Sequence, residues 1–273
     1  MGGKRGSAFR FLVAVAMIRH TLSAMPDTLS RRRLLSGLGA TLAMPLLAGE
    51  SESAAIDPAK RKRKIIVTGG HPGDPECGCG GTIACFSDLG HDVVMLYLNR
   101  GDPAETASRP ASDVRVEEAK RASEILKARP VFVDQIDGHA IVDVEHYATF
   151  AKRLSAEQPD AVFTHWPIDN HADHRAMFNL VYDAWVRSKH KFALYYYEVS
   201  SGEDTMQFSP TAYVDITQTE PRKRQACEAH ASQRPDKFYA LQESVTRMRG
   251  IEFGCKHAEG FLRQIQSPEF ALP

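Results

Sequence analysis

The chain has 273 residues, 43% hydrophobic and 25% charged, with 34 Lys+Arg balanced by 34 Asp+Glu. That composition suits a globular protein large enough for a full core. Zero net charge gives no general attraction to nucleic acid, so no polyanionic partner is expected.

Residues 1–63 stand apart from the rest. Ser30-Arg31-Arg32-Arg33-Leu34-Leu35 precedes an uncharged Gly/Ala/Leu-rich stretch from Ser36 to Gly49. This is the pattern of a twin-arginine export signal and predicts a periplasmic or extracellular protein. The apolar stretch is about fourteen residues, against roughly twenty for a bilayer span, so no stable membrane crossing is expected. Phe9 to Ile18 is a second short apolar run, and Met25 is a candidate start. Glu50 to Lys64 is polar, ends in five consecutive basic residues, and serves as a linker. Residues 64–273 are expected to form one domain.

That domain begins with its most informative stretch, Lys64 to Phe86. Ile65, Ile66 and Val67 form a short apolar strand, followed by a glycine-rich turn carrying His71, Asp74 and Glu76, after which Gly80-Gly81 opens a helix. In open parallel α/β sheets, ligands bind beyond the carboxyl ends of strands, so this turn is a candidate active site. His91 to Leu98 reads as a second strand, with Asn99-Arg100-Gly101-Asp102 at its end, and Asp113 to Lys127 as an amphipathic helix. Pro130 to Val133, Asp160 to Thr164, Phe192 to Val199 and Ala212 to Ile216 are further strands. His146 to Glu157 and Ala176 to Ser188 are helical, and the chain turns helical again from Thr219, with Pro221 in the first turn, and over 236–250. Strands alternating with helices predict an α/β, Rossmann-like three-layer sandwich with a mostly parallel central sheet. Tyr195, Tyr196 and Tyr197 cannot all face one side of a strand.

A second constellation lies between the fourth strand and the next helix. His165 to Arg175 holds three His and two Asp in eleven residues. A helix starting near His171 would put His171 and His174 on one face. Five cysteines, Cys77, Cys79, Cys85, Cys227 and Cys255, match no C-x-x-C pair and read as small buried residues, not as disulfide partners or metal thiolates. No G-x-G-x-x-G fingerprint follows the first strand, where Pro72 would hinder a pyrophosphate cradle, and no G-x-S-x-G elbow occurs.

Together the two turns resemble the PIG-L/LmbE-like family of zinc-dependent N-deacetylases. His71-Pro72-Gly73-Asp74 with Gly80-Gly81 resembles the family's His-Pro-Asp-Asp and Gly-Gly, and Glu76 the Glu of its His-Pro-Asp-Asp-x-Glu form. His171-Ala172-Asp173-His174 resembles His-Pro-Asp-His, Asn99-Arg100-Gly101-Asp102 resembles Thr-Arg-Gly-Glu, and His230-Ala231-Ser232-Gln233 resembles His-x-Ser-Gln. The resemblance spans about Lys64 to Phe253. It implies Zn2+ or another divalent metal held by His71, Asp74 and His174, with a zinc-activated water attacking an acetyl amide. It also implies His171 as oxyanion stabiliser or acid, substrate contacts from Arg100 and Asp102, and an N-acetylated amino sugar such as an N-acetylglucosamine conjugate as substrate. An oligomer is compatible with all of this.

One departure matters. The family's general base is the first Asp of its motif, and here that residue is Gly73. Glu76 is the first candidate to replace it, with Asp102 and Asp173 as others. The alternative is a metal-retaining sugar-binding protein without turnover.

Overall fold

A computed structural model describes residues 61–103 and 109–273, except for the side chains of 102–112. The segment expected to hold an export signal, Phe9 to Ile18 and Met25 included, lies outside the described residues. The element order is β1 (Lys64–Gly69), α1 (Asp74–Asp88), β2 (Asp92–Pro103), α2 (Arg109–Leu126), β3 (Arg129–Asp137), α3 (Val144–Ala156) and β4 (Ala161–His165). It continues with α4 (Ala172–Arg187), β5 (Ala193–Tyr197), β6 (Ala212–Asp215), α5 (Glu220–Glu228), α6 (Pro235–Phe253) and β7 (Ala258–Arg263).

The seven strands form one sheet in the order β3-β2-β1-β4-β5-β7-β6. β3, β2, β1, β4 and β5 pair in parallel, while β7 runs antiparallel between β5 and β6. Central strands covered on both faces need uninterrupted apolar sequence, and Ile65-Ile66-Val67 and Ala161-Val162-Phe163 are buried throughout. Strand side chains alternate between faces, which divides the core in two. Ile65, Val67, Met95, Phe163, Tyr195 and Tyr197 pack with Ile83 and Phe86 of α1 and Ala119 of α2. Ile66, Val94, Leu96, Val162 and Tyr196 pack against Phe150 of α3 and Leu180 and Trp185 of α4. The three layers are as the sequence predicts, and the tyrosine run splits between faces. No described helix is long and apolar enough to cross a membrane.

β7 is the element the sequence reading lacks. Its second residue is Glu259, only 3% exposed. That carboxylate accepts from the backbone N–H of Gly81 (2.9 Å) and Thr82 (2.8 Å) inside α1, and from Lys223 Nζ (2.6 Å) of α5. A charged residue that reads as surface thus ties the sheet to both helices at once. Buried carboxylates persist only when paired and hydrogen-bonded in this way.

Counting outward from β1, the chain visits β2 and β3 on one side and β4 and β5 on the other. The strand order therefore reverses between β1 and β4, and the crevice at their carboxyl ends is the topological switch point. Both chemical turns open there.

Candidate metal centre and active site

The turn after β1 is built around close approach. A Cβ on Gly70 would stand 2.9 Å from His174 Cδ2 and 3.3 Å from Asp74 Oδ2, so only glycine lets the backbone pass the two side chains. The Gly70 N–H donates to His165 Nε2 (2.9 Å), and the His71 N–H to Asp74 Oδ2 (2.8 Å). Gly73, with φ +112°, precedes α1 as its N-cap, and its N–H donates to Glu76 Oε2 (3.1 Å).

After β4, α4 starts at Ala172 with His171 as N-cap, four residues earlier than the periodicity suggests. The Asp173 N–H donates to His171 Nδ1 (3.2 Å). Its cap role places His171 one turn from His174, the rings stacking at 4.7 Å between centroids.

Asp74 Oδ2 is the meeting point. It lies 3.4 Å from His71 Nδ1 and 3.3 Å from His174 Nε2. Ligand atoms at zinc–nitrogen distances in tetrahedral array stand about 3.3 Å apart. The opposite ring nitrogens are also held. His71 Nε2 is 3.0 Å from Asp137 Oδ1 and 3.2 Å from Asp173 Oδ2, and His174 Nδ1 is 3.0 Å from Asp169 Oδ1. Carboxylates on the outer nitrogens fix tautomer and ring orientation and make the inner nitrogens better donors, as in known metal sites. His71, Asp74 and His174 therefore fit a divalent cation. His171 offers a further imidazole within reach of His71 and His174.

The electrostatics agree. Burial opposes charge on His71, but bonds to Asp137, Asp173 and Asp74 carry it well above the usual histidine value. His174 is likewise raised to about 9 against its burial, by Asp74 and Asp169. Asp74 is held well below the carboxylate range despite desolvation, chiefly by His174. His165 is pushed down to about 4 by burial and the neighbouring His174, on which it stacks at 4.0 Å. Its Nε2 lone pair is occupied by Gly70, so it braces the turn. His171 is lowered by burial and by His71 and His174.

His71, Asp74, His171 and His174 line one cavity of about 270 Å³, together with Gly73, Arg115, Asp137, Asp204, His230 and Phe238. Glu76 is not in that wall. Wholly buried, it accepts from Tyr97 Oη (2.8 Å) and Gly73 N–H and meets His230 Nε2 at 2.9 Å. The base role expected of Glu76 is corrected here: its oxygens are engaged in fixing the start of α1 and the His230 ring. Asp173 accepts from Asn99 Nδ2 (3.0 Å) and the Gly138 N–H (2.8 Å) besides contacting His71, which makes it a positioning residue. Arg100 also departs from expectation. Its Nε bonds Asp134 Oδ1 at 2.6 Å and its guanidinium lies 6.0 Å over Phe132, outside the cavity. The Asp102 side chain is outside the described residues.

Arg115 occupies the place expected for Arg100. Its guanidinium donates to the carbonyls of Gly101 (3.1 Å) and Pro72 (3.2 Å), and its buried Nε has no partner. Arg115, Asp137 and Asp204 were not singled out from sequence, and Asp169 was counted only as a member of the His165–Arg175 constellation. Asp137 carried a further signal, since it ends a parallel strand next to β2.

Fold and site together define a Rossmann-like α/β protein with a His/Asp centre, suited to a divalent cation, at the switch point of its sheet. The PIG-L family model, described as GlcNAc-PI de-N-acetylase, matches residues 66–185, in line with the resemblance carried by the two turns. The chain is similar to the diacetylchitobiose deacetylase of Thermococcus kodakarensis, 27% identical over 224 residues, which cover 75% of this chain and 84% of the relative. Among solved structures, the N,N'-diacetylchitobiose deacetylase of Pyrococcus horikoshii superposes with TM-score 0.66 at 22% identity, covering 76% of this chain and 85% of that one. GalB, the 4-carboxy-2-hydroxymuconate hydratase of Pseudomonas putida, superposes with TM-score 0.67 at 22% identity, covering 77% of this chain and all of its own. A deacetylase and a hydratase share the fold, so the reaction must be argued from the site.

Proposed function

We propose that the protein is an exported, metal-dependent N-deacetylase that removes the acetyl group of an N-acetylated amino sugar or its conjugate. The observation that carries this reading is the convergence of His71 Nδ1 and His174 Nε2 on Asp74 Oδ2, each imidazole backed by a carboxylate. The deacetylase relative supports the substrate class. A divalent cation held by these three residues, zinc by preference for this donor set, supplies Lewis acidity that polarises an amide carbonyl and acidifies water.

The chain's own groups do the rest. Asp173 and Asp137 hold the His71 ring, and Asp169 holds His174, so the ligands are set before substrate arrives. His171 accepts the Asp173 N–H at Nδ1, which leaves Nε2 to carry its proton. From Nε2 it donates a hydrogen bond to the carbonyl oxygen as negative charge develops. Arg115 lines the cavity, its guanidinium held by the Gly101 and Pro72 carbonyls, and orients the polar part of the substrate. Of the cavity carboxylates, Asp74 is a ligand and Asp137 is engaged by His71. Asp204 has no side-chain partner among the described residues and is left to accept a proton or a substrate hydroxyl.

The deciding experiment is acetate release from N-acetylated amino sugars by the zinc-loaded chain. Release that stops with a chelator and returns with zinc supports the proposal, and Asp204→Asn should then cut turnover at least tenfold with metal retained. Gly73 favours one other reading, a metal-retaining sugar-binding protein. Tight sugar binding with no acetate released would establish it in place of the hydrolase.

A further inference from the structure

Two of the five cysteines meet. Cys77 of α1 and Cys227 of α5 have their Sγ atoms 3.2 Å apart, and both line the cavity that holds the His/Asp centre. The other three are differently engaged. Cys79 is wholly buried in the core, Cys85 Sγ faces Thr219 Oγ1 at 3.4 Å, and Cys255 Sγ donates to the His257 carbonyl. The Cys77–Cys227 contact is not an accident of two surface thiols. It lies between two packed helices, one turn along α1 from Asp74, beside the buried ammonium of Lys223 that sits one turn before Cys227 on α5.

We propose that Cys77 and Cys227 form a dithiol that closes to a disulfide across α1 and α5 when the protein meets a small-molecule disulfide oxidant. This reverses the sequence expectation that all five cysteines only pack. Cys77, half-buried and facing the cavity, reacts first; Cys227, almost fully buried, resolves. Cys77 loses its proton to water and attacks one sulfur of RS–SR, giving a mixed disulfide and RS⁻. Cys227 then loses its proton and attacks Cys77 Sγ, forming the Cys77–Cys227 bond and expelling the second RS⁻. Two thiols are oxidised by two electrons and one disulfide is reduced to two thiols. The sulfurs must close from 3.2 Å to about 2.05 Å, within the reach of side-chain rotation and a small shift of either helix. The product encloses a long segment of chain, the topology in which a cross-link constrains the unfolded state most.

The test uses the full chain, zinc-loaded and reduced, then incubated with oxidised glutathione. Thiols titrated in denaturant should fall from five to three. Peptide mapping without reductant should join the peptides of Cys77 and Cys227, and the melting temperature should rise by about 5–10 °C, reversed by reductant. Cys227→Ser should leave glutathione attached at Cys77. Five titratable thiols after oxidation would overturn the proposal, as would a different pairing or a stable glutathione adduct on the unsubstituted chain. Thiol counting and mapping both use that unsubstituted chain, so neither depends on whether the Cys227→Ser protein folds.

Discussion

Asp169 Oδ1 stands 3.0 Å from His174 Nδ1 and also accepts the His171 N–H at 2.8 Å, while its Oδ2 accepts from Thr205 Oγ1 at 3.0 Å. One carboxylate thus aligns a histidine of the candidate metal centre and the start of the helix that carries it. Asp169→Asn keeps the shape but puts an amide where a charged acceptor was. Outer carboxylates of this kind typically contribute ten- to a hundredfold to metal affinity. Zinc affinity of the variant, measured by chelator competition, should fall by about that factor with secondary structure unchanged; an unaltered affinity would contradict the assigned role.

The raised His174 makes stability and metal affinity depend on pH. Its folded value of about 9 lies above the unfolded 6.5, so its contribution to stability is fully present below about pH 6.5 and lost as pH rises through 9. His71 is shifted in the same direction. The metal-free protein should therefore melt at progressively lower temperature between pH 6.5 and 9. Zinc must displace the same protons, so its apparent affinity should rise across that window, about tenfold per pH unit for each proton released. A metal-free melting temperature that is flat or climbing there would refute this linkage.

Much of the fold and site was legible because parallel sheets impose a simple rule. Ile65-Ile66-Val67 and Ala161-Val162-Phe163 announce central strands, and chemistry follows at their carboxyl ends. His71, Asp74, His171 and His174 were therefore readable from position and type. What stayed hidden depends on packing at a distance. Glu76 reads as a free acid beside the metal site, and only the fold reveals Tyr97 and His230 closing over it. Arg115 looks like one charge among several on an amphipathic helix until α2 lies over Gly101 and Pro72. β7 carries a charged residue near its start, Glu259, and the burial of that residue locks the strand to α1 and α5.

Gly73 can be tested by putting a carboxylate back. A Cβ there would stand 3.9 Å from His230 Cδ2, an ordinary contact, so space is not the obstacle. The backbone is, because φ +112° is a conformation that L-residues rarely adopt, at a cost of order 1–3 kcal/mol. Gly73→Asp should thus lower the melting temperature by several degrees and still retain metal. If the family's base acts from this position, acetate release should rise by at least tenfold, the lower side of what a positioned base contributes. No gain from a folded, metal-loaded variant would show that this chain's chemistry does not use position 73.

Glu76→Gln separates a structural carboxylate from a catalytic one. Glu76 Oε1 serves both Tyr97 Oη and His230 Nε2, while Oε2 receives the Gly73 N–H. An amide can satisfy only part of that set. If its NH2 takes the Oε1 position, the buried Tyr97 hydroxyl loses the carboxylate it donates to, and His230 must accept at Nε2. Leaving such a group unsatisfied costs about 1–3 kcal/mol, so the variant should be destabilised by roughly that much. Metal occupancy should not change, since no ligand atom is touched. Turnover per metal-loaded molecule should fall by less than about tenfold, because the chain would lose alignment of His230 and not a proton acceptor. A loss of about a hundredfold or more, with zinc still bound and the fold intact, would return the base to Glu76 and require its oxygens to open toward the cavity during turnover.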